Sequence, residues 1–152
     1  DMLLAERFGM YYIDENGNKA LPYIIHRTSL GCYERTLAYL IEEYAGALPL
    51  WMMPTQVRVL PITDRCHDYA EKVVERLSDA GIRVEGDYRS EKLGYKIRDA
   101  QMQKIPYMLV VGDKEAEAGV VAVRSRRDGD LGTMTPDALL EKLREEIESK
   151  AL

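Results

Sequence analysis

Apolar residues follow two distinct patterns along the chain. In the first, they recur every three or four residues, which places them on one face of a helix. Leu37, Leu40, Ile41 and Tyr44 do so within 30–44, and Gly46 is a stop signal. Tyr69, Val73, Val74 and Leu77 predict a helix over about 65–80, with Asp64 placed to cap it and Gly81 to end it. Leu93, Ile97 and Ala100 predict another over about 91–103, closed before Pro106. Leu139, Leu140, Leu143 and Ile147 mark a last helix, entered through Thr135 as cap and Pro136 in the first turn.

The second pattern is the short β-rich run. Phe8 to Asp14 and a return strand beginning at Tyr23-Ile24-Ile25 flank Glu15-Asn16-Gly17-Asn18, an Asn-Gly hairpin signal. Further strands are predicted at 56–62, 82–85 and 120–124. Tyr107-Met108-Leu109-Val110-Val111 shows no polar alternation and reads as a strand buried within a sheet.

From residue 56 the order is β-α-β-α-β-β-α. Helix-length connections favour parallel pairing with right-handed crossovers, and the 107–124 pair adds an antiparallel edge. The expected fold is therefore α/β, a mixed and mostly parallel sheet flanked by three helices. One hairpin and one helix cannot close a core of their own, so residues 1–51 read as the end of a larger unit. Pro49 to Pro54 looks like a linker, and 52–152 like a domain able to fold alone.

The 152 residues are 46% hydrophobic and 31% charged, enough for a real core and against disorder. No apolar run approaches the roughly 18 residues of a membrane span, and no signal segment opens the chain, so a soluble, cytoplasmic protein without a membrane partner is expected. Cys32 and Cys66 are too few for a disulfide framework and are read as packing cysteines.

The net charge of -5 excludes a protein coated in positive charge, but the charge is uneven. Only 83–127 is net positive, with ten Lys/Arg against seven Asp/Glu. There Arg89, Lys92, Lys96, Arg98 and Lys104 crowd one stretch, and Lys92 and Lys96 share a helix face. Two readings stand: a solvated face, or a local patch for RNA phosphates.

Longer stretches carry a resemblance. Pro22 to Gly46, PYIIHRTSLGCYERTLAYLIEEYAG, resembles the third signature motif of class II aminoacyl-tRNA synthetases, with Gly31, Glu34 and Arg35 at the motif positions. The segments PTQVRVLPITD, GIRVEGDYRSEKLGYKIRDAQMQKIPYMLVVGDKE and DLGTM resemble the anticodon-binding domain of the threonyl-tRNA synthetase family. The likeness runs from about Tyr11 to the C-terminus, and the EKLGYKIRDAQMQKIPYMLVVGDKE run is its most specific part.

This resemblance implies that residues 1–51 are the end of an antiparallel class II catalytic core and that 52–152 is an anticodon-binding domain. It implies that Arg35 contacts ATP, a task suited to a planar, permanently charged guanidinium; from the residue alone, Arg35 is a surface ion-pair partner. It implies that His26 is one of three ligands of a zinc ion that selects threonine, the other two lying upstream; alone, His26 reads as an exposed or satisfied histidine. In the second domain it implies anticodon contacts by Lys92, Arg98, Glu115 and Arg124. Lys104 stands where an arginine is common, and Ser90 where many members carry Asn. The residues by themselves leave Glu115 as a partner of Lys114 or Arg124, and Arg124 as the exposed side of an edge strand. Tyr88 and Tyr95 are read either as stacking platforms for bases or as core.

The function implied is ATP-dependent ligation of threonine to tRNA(Thr), with ATP and magnesium as substrate, zinc as cofactor and a homodimer as the working form. The segment present would chiefly read the anticodon loop, with no role on DNA. By itself it is expected to be inactive and to bind no cofactor. A synthetase-like RNA-binding or assembly module without catalysis is the alternative. Apolar residues of 8–44, Tyr11, Ile24 and Leu37 among them, are expected to be exposed, and that region to self-associate or to be poorly ordered.

Overall fold

The computed structural model describes residues 1–28 and 31–152. They divide into two compact units, Asp1–Tyr39 and Leu40–Leu152.

The first unit contains helix α1 (Leu4–Arg7), strands β1 (Tyr12–Ile13) and β2 (Lys19–Ala20), and the start of helix α2 (Tyr33–Glu43). The hairpin forms where Asn16-Gly17 indicated but is shorter than the apolar run suggested. Tyr12 pairs with Ala20 and Ile13 with Lys19. The Asp14 carboxylate accepts from the amides of Asn16 (2.9 Å) and Asn18 (2.8 Å), which closes the turn tightly. Pro22, with no N–H to give, follows two residues after β2. Tyr23–Ile25 is thus not the return strand, and the amide and carbonyl of Ile24 instead bond Asp1. Leu30, the expected helix start, lies outside the described residues. Tyr11 and Leu37 are 56% and 52% exposed, as anticipated, whereas Ile24 is half-buried.

The second unit is a five-stranded sheet with helices on both faces. Strand β3 (Val57–Pro61) leads through a 3-10 turn (Asp64–Cys66) into α3 (His67–Asp79) and β4 (Val84–Gly86). Helix α4 (Leu93–Met102), β5 (Tyr107–Val111), the short α5 (Asp113–Ala118), β6 (Val121–Ser125), β7 (Gly129–Met134) and α6 (Pro136–Glu148) follow. The sheet order is β4-β3-β5-β6-β7, with β3 parallel to β4 and β5, and β6 antiparallel to β5 and β7. The mixed sheet expected from the sequence is present; α5 and β7 are additions to it. Asp64 does not cap α3: it opens the 3-10 turn, and Cys66 takes the cap position without a side-chain bond. Thr135 does cap α6, its hydroxyl accepting from the Ala138 amide at 3.2 Å.

Strand alternation separates two cores. Val57, Val59, Leu109, Val111, Val121 and Val123 pack with Val73 and Leu77 of α3 and Leu139 and Leu143 of α6. On the other face, Leu60 and Met108 pack with Ala100 of α4, Ile105, Leu48 and Met53. In β6 the burial alternates: Val121, Val123 and Ser125 are buried, Ala122 and Arg124 only half-buried. Arg124 stands opposite Met108 in the antiparallel register, which puts it on the α4 face of the sheet.

The segment 40–51, grouped with the first region in the sequence reading, lies in the second unit. Leu48 and Leu50 are buried, and Gln56 Nε2 donates to the Leu50 carbonyl at 3.0 Å. Cys66 is buried as a packing cysteine should be, but Cys32 is exposed.

Candidate nucleic-acid interface

Within the basic stretch, the structure divides the cations by whether the fold consumes their charge. Arg89 is consumed. Its Nη2 lies 2.6 Å from both Asp87 Oδ2 and Asp99 Oδ2, and its Nε 2.8 Å from Asp87 Oδ1. These donors hold the carboxyl of Asp87 below the usual carboxylate range, and that of Asp99 likewise, with help there from Gln103. Lys96 is consumed as well: it is buried, its ammonium held by the carbonyls of Pro61 and Asp87. It therefore does not share a solvated patch with Lys92, as helix spacing alone suggested. The guanidinium of Arg126 bonds the carbonyls of Lys104 (2.6 Å), Leu48 (2.8 Å) and Ala47 (3.1 Å), tying the incoming chain to the end of α4.

The side chains of Lys92, Arg98, Lys104 and Arg124 behave differently. Among the described residues none of them makes a hydrogen bond or an ion pair. Lys92 sits at the entry of α4, Arg98 is exposed on that helix, Lys104 follows its end, and Arg124 lies on the same sheet face. Their charges are not consumed by the described fold. Lys104 and Arg124 line a groove of about 510 Å³ with Arg126 and Arg127, floored by Ile105 and Met108. Ser90 and Lys92 line a second recess of about 260 Å³ at the carboxyl end of β3.

Glu115 has a structural task. Its Oε2 accepts from the Gly112 amide at 2.9 Å and closes the first turn of α5. Among the described residues it pairs with neither Lys114 nor Arg124. Space explains the neighbouring glycine: a Cβ at Gly112 would meet Glu115 Oε2 at 2.8 Å and Ile62 Cδ1 at 2.9 Å. Tyr88 packs against the core and meets His67 edge-to-face at 5.2 Å between centroids, so it belongs to the interior. Tyr95 is exposed, with the Arg89 guanidinium 5.8 Å from its ring centre.

In the first unit, Arg35 is exposed on the first turn of α2, without a bonded partner among the described residues. His26 is exposed on an irregular segment, and no group of three ligating side chains that could hold a metal ion occurs among the described residues.

The domain thus leaves cations unspent along one helix and the adjoining sheet face. Residues 56–146 match the family described as the anticodon binding domain, and the chain belongs to that family. Among curated relatives it is 59% identical over 150 residues to a threonine--tRNA ligase of Clostridium botulinum Eklund 17B, covering 99% of this chain and 23% of the relative. It is 63% identical over 134 residues to the threonine--tRNA ligase of Clostridium perfringens SM101, covering 88% and 21% respectively. The chain thus spans less than a quarter of these relatives. Among solved structures, it is similar to the RNA binding domain of threonyl-tRNA synthetase from Cryptosporidium parvum Iowa II. That likeness has a TM-score of 0.73 and 35% identity, covering 96% of this chain and 37% of the other. No helix is long and apolar enough to cross a membrane among the described residues.

Proposed function

We propose that this chain binds the anticodon loop of tRNA(Thr), as the anticodon-reading part of a threonine--tRNA ligase. The observation that carries this reading is the set of unspent cations, Lys92, Arg98, Lys104 and Arg124, within the segment that matches the anticodon-binding family. Lysine and arginine would hold phosphates and position the loop, while hydroxyl and carboxylate groups such as Ser90 and the second oxygen of Glu115 would face base edges. A carboxylate offers phosphate no attraction but accepts from base amino and imino groups, so Glu115 can serve in both helix closure and recognition.

In a longer protein, residues 22–46 would complete a class II catalytic core acting on threonine and on ATP with magnesium, with Arg35 placed against ATP. One imidazole holds no zinc by itself, so His26 would need two further ligands, and no zinc chemistry is assigned to this chain. A homodimer and a cytoplasmic site of action go with that reading of the whole enzyme.

The test is a titration at fixed, modest salt with two anticodon stem-loops, one bearing the threonine anticodon and one a substituted second base. A preference of tenfold or more, about 1.4 kcal/mol, is expected. Arg98→Ala should weaken the preferred complex by roughly 1–3 kcal/mol without changing the melting temperature. Unchanged affinity at matched salt would remove Arg98 from the interface, and equal binding of both loops would reduce the site to a phosphate patch.

A further inference from the structure

Lys96 is only 3% exposed, yet it lines the recess at the carboxyl end of β3. Its Nζ donates to the Pro61 carbonyl at 3.1 Å and to the Asp87 carbonyl at 3.0 Å, which fastens the ends of two neighbouring strands to α4. An ammonium has three N–H donors, and the described residues accept two of them. Leaving a buried charged donor unmatched is costly, so an acceptor entering the recess is favoured.

The surroundings select among acceptors. The carboxylate of Asp87, whose carbonyl Lys96 bonds, is already committed to Arg89. Asp64 and Glu91 line the recess together with Lys92 and with Arg89, which Asp87 and Asp99 hold, so charge alone does not turn a phosphate away; a phosphate would, however, present several oxygens to a single spare proton. A nucleobase carbonyl presents one oxygen to one donor, with the Ser90 hydroxyl available to its remaining edge and Ile62 to its apolar face, while the Thr63 hydroxyl is shared with Cys66 Sγ at 3.4 Å. At about 260 Å³, against roughly 30 Å³ for a water molecule, the recess has room for a base.

We propose that Lys96 donates its third N–H to the carbonyl oxygen of one unstacked base seated in this recess, and so acts as a specificity-determining residue. The inference rests on the anticodon-loop reading above and adds a base-edge contact from a lysine that the fold has buried.

The experiment follows the side-chain ammonium resonance of Lys96 by nitrogen-15 NMR in the full 152-residue chain. The threonine anticodon stem-loop is compared with versions altered at one position: uridine replaced by 2-pyrimidinone riboside, which lacks the C4 carbonyl, or by 2-thiouridine, whose C2 carbonyl is exchanged for a weaker sulfur acceptor, and guanosine replaced by 2-aminopurine riboside, which lacks the C6 carbonyl. At one position, deleting the carbonyl should weaken binding about tenfold or more with an unchanged salt slope, and should abolish the shift of the Lys96 resonance. In Lys96→Met, that position should no longer discriminate. Because this variant removes two structural hydrogen bonds and can fail to fold, the resonance in the unaltered protein decides independently. A resonance unmoved at saturating stem-loop overturns the inference while leaving anticodon binding intact. A shift indifferent to every analogue overturns it in favour of a phosphate contact. Absence of binding by all stem-loops overturns both readings together.

Discussion

The two units of the chain handle apolar residues in opposite ways. In Leu40–Leu152, branched side chains from β3, β5 and β6 disappear between helices, and Val57, Val59, Leu109, Val121 and Val123 are fully buried. In Asp1–Tyr39, Ala5 is the only buried residue among those described. Of the eighteen large hydrophobic residues left exposed among those described, thirteen belong to this first unit, and Ile25 is 90% exposed. Both stretches are rich in β-branched and aromatic residues, so composition does not separate them. The difference lies in whether the sequence supplies a second layer: strands alternate with helices after residue 56, whereas a two-residue ladder, the single turn of α1 and part of α2 bury little more than Ala5. Apolar content permits a core; topology decides whether there is one.

The sharpest way to break this contrast is amide hydrogen exchange. Amides of β3, β5 and β6 should exchange through global unfolding, while those of β1, β2 and the first turns of α2 should exchange orders of magnitude faster through local opening. Uniform protection across 8–44 would mean that self-association covers this surface, which a concentration series would reveal. Next in size, Leu109→Ala should cost about 2–5 kcal/mol in urea unfolding, because it empties a site enclosed on all sides. Leu37→Ala, on the exposed helix of the first unit, should stay within about 0.5 kcal/mol. A comparable loss at both positions would erase the distinction.

A smaller and pH-dependent effect is expected at Asp87, whose carboxylate is nearly inaccessible and bonded to Arg89. Its folded pKa lies below the unfolded value, so its stabilisation is complete above the unfolded pKa of about 3.9. It fades as pH falls through the folded value. Asp87→Asn should therefore be less stable than the parent at pH 7, and the gap should narrow as pH drops below about 4. A gap constant across that range would make the role one of shape and not of charge.

The sequence disclosed the parts of the fold that depend on periodicity. The stripes of α3, α4 and α6 and the unbroken apolar run of β5 are visible because burial on one face, or on two, leaves a regular mark. Helix α5, Asp-Lys-Glu-Ala-Glu-Ala, leaves none: it is short, has no buried residue, and is held by Glu115 and by Gly119 in the left-handed conformation at its end. Strand β7 is hidden by its two glycines and by an irregular register.

The interface was legible as a net-positive segment but not as a division of labour. That Arg89 and Arg126 are spent internally depends on Asp99 and on carbonyls distant in sequence. Lys96 did leave a trace. It falls between Leu93 and Ala100, beside Ile97, in the stripe that α4 turns inward, and a lysine there must either reach solvent or find acceptors.

The irregularity of β7 has a consequence for the company the domain keeps. Between the pairs Ala122–Thr133 and Arg124–Asp130 the ladder gains one residue on β7, where Gly132 adopts a φ of 75°. β7 is also one of the two edge strands, the other being β4, and a flat edge strand is a template on which a foreign chain can extend the sheet. The extra residue bends and twists that template, so successive backbone groups no longer point outward at regular spacing. The same kink that concealed the strand from its sequence thus disfavours amyloid-like growth from the β7 edge of the sheet.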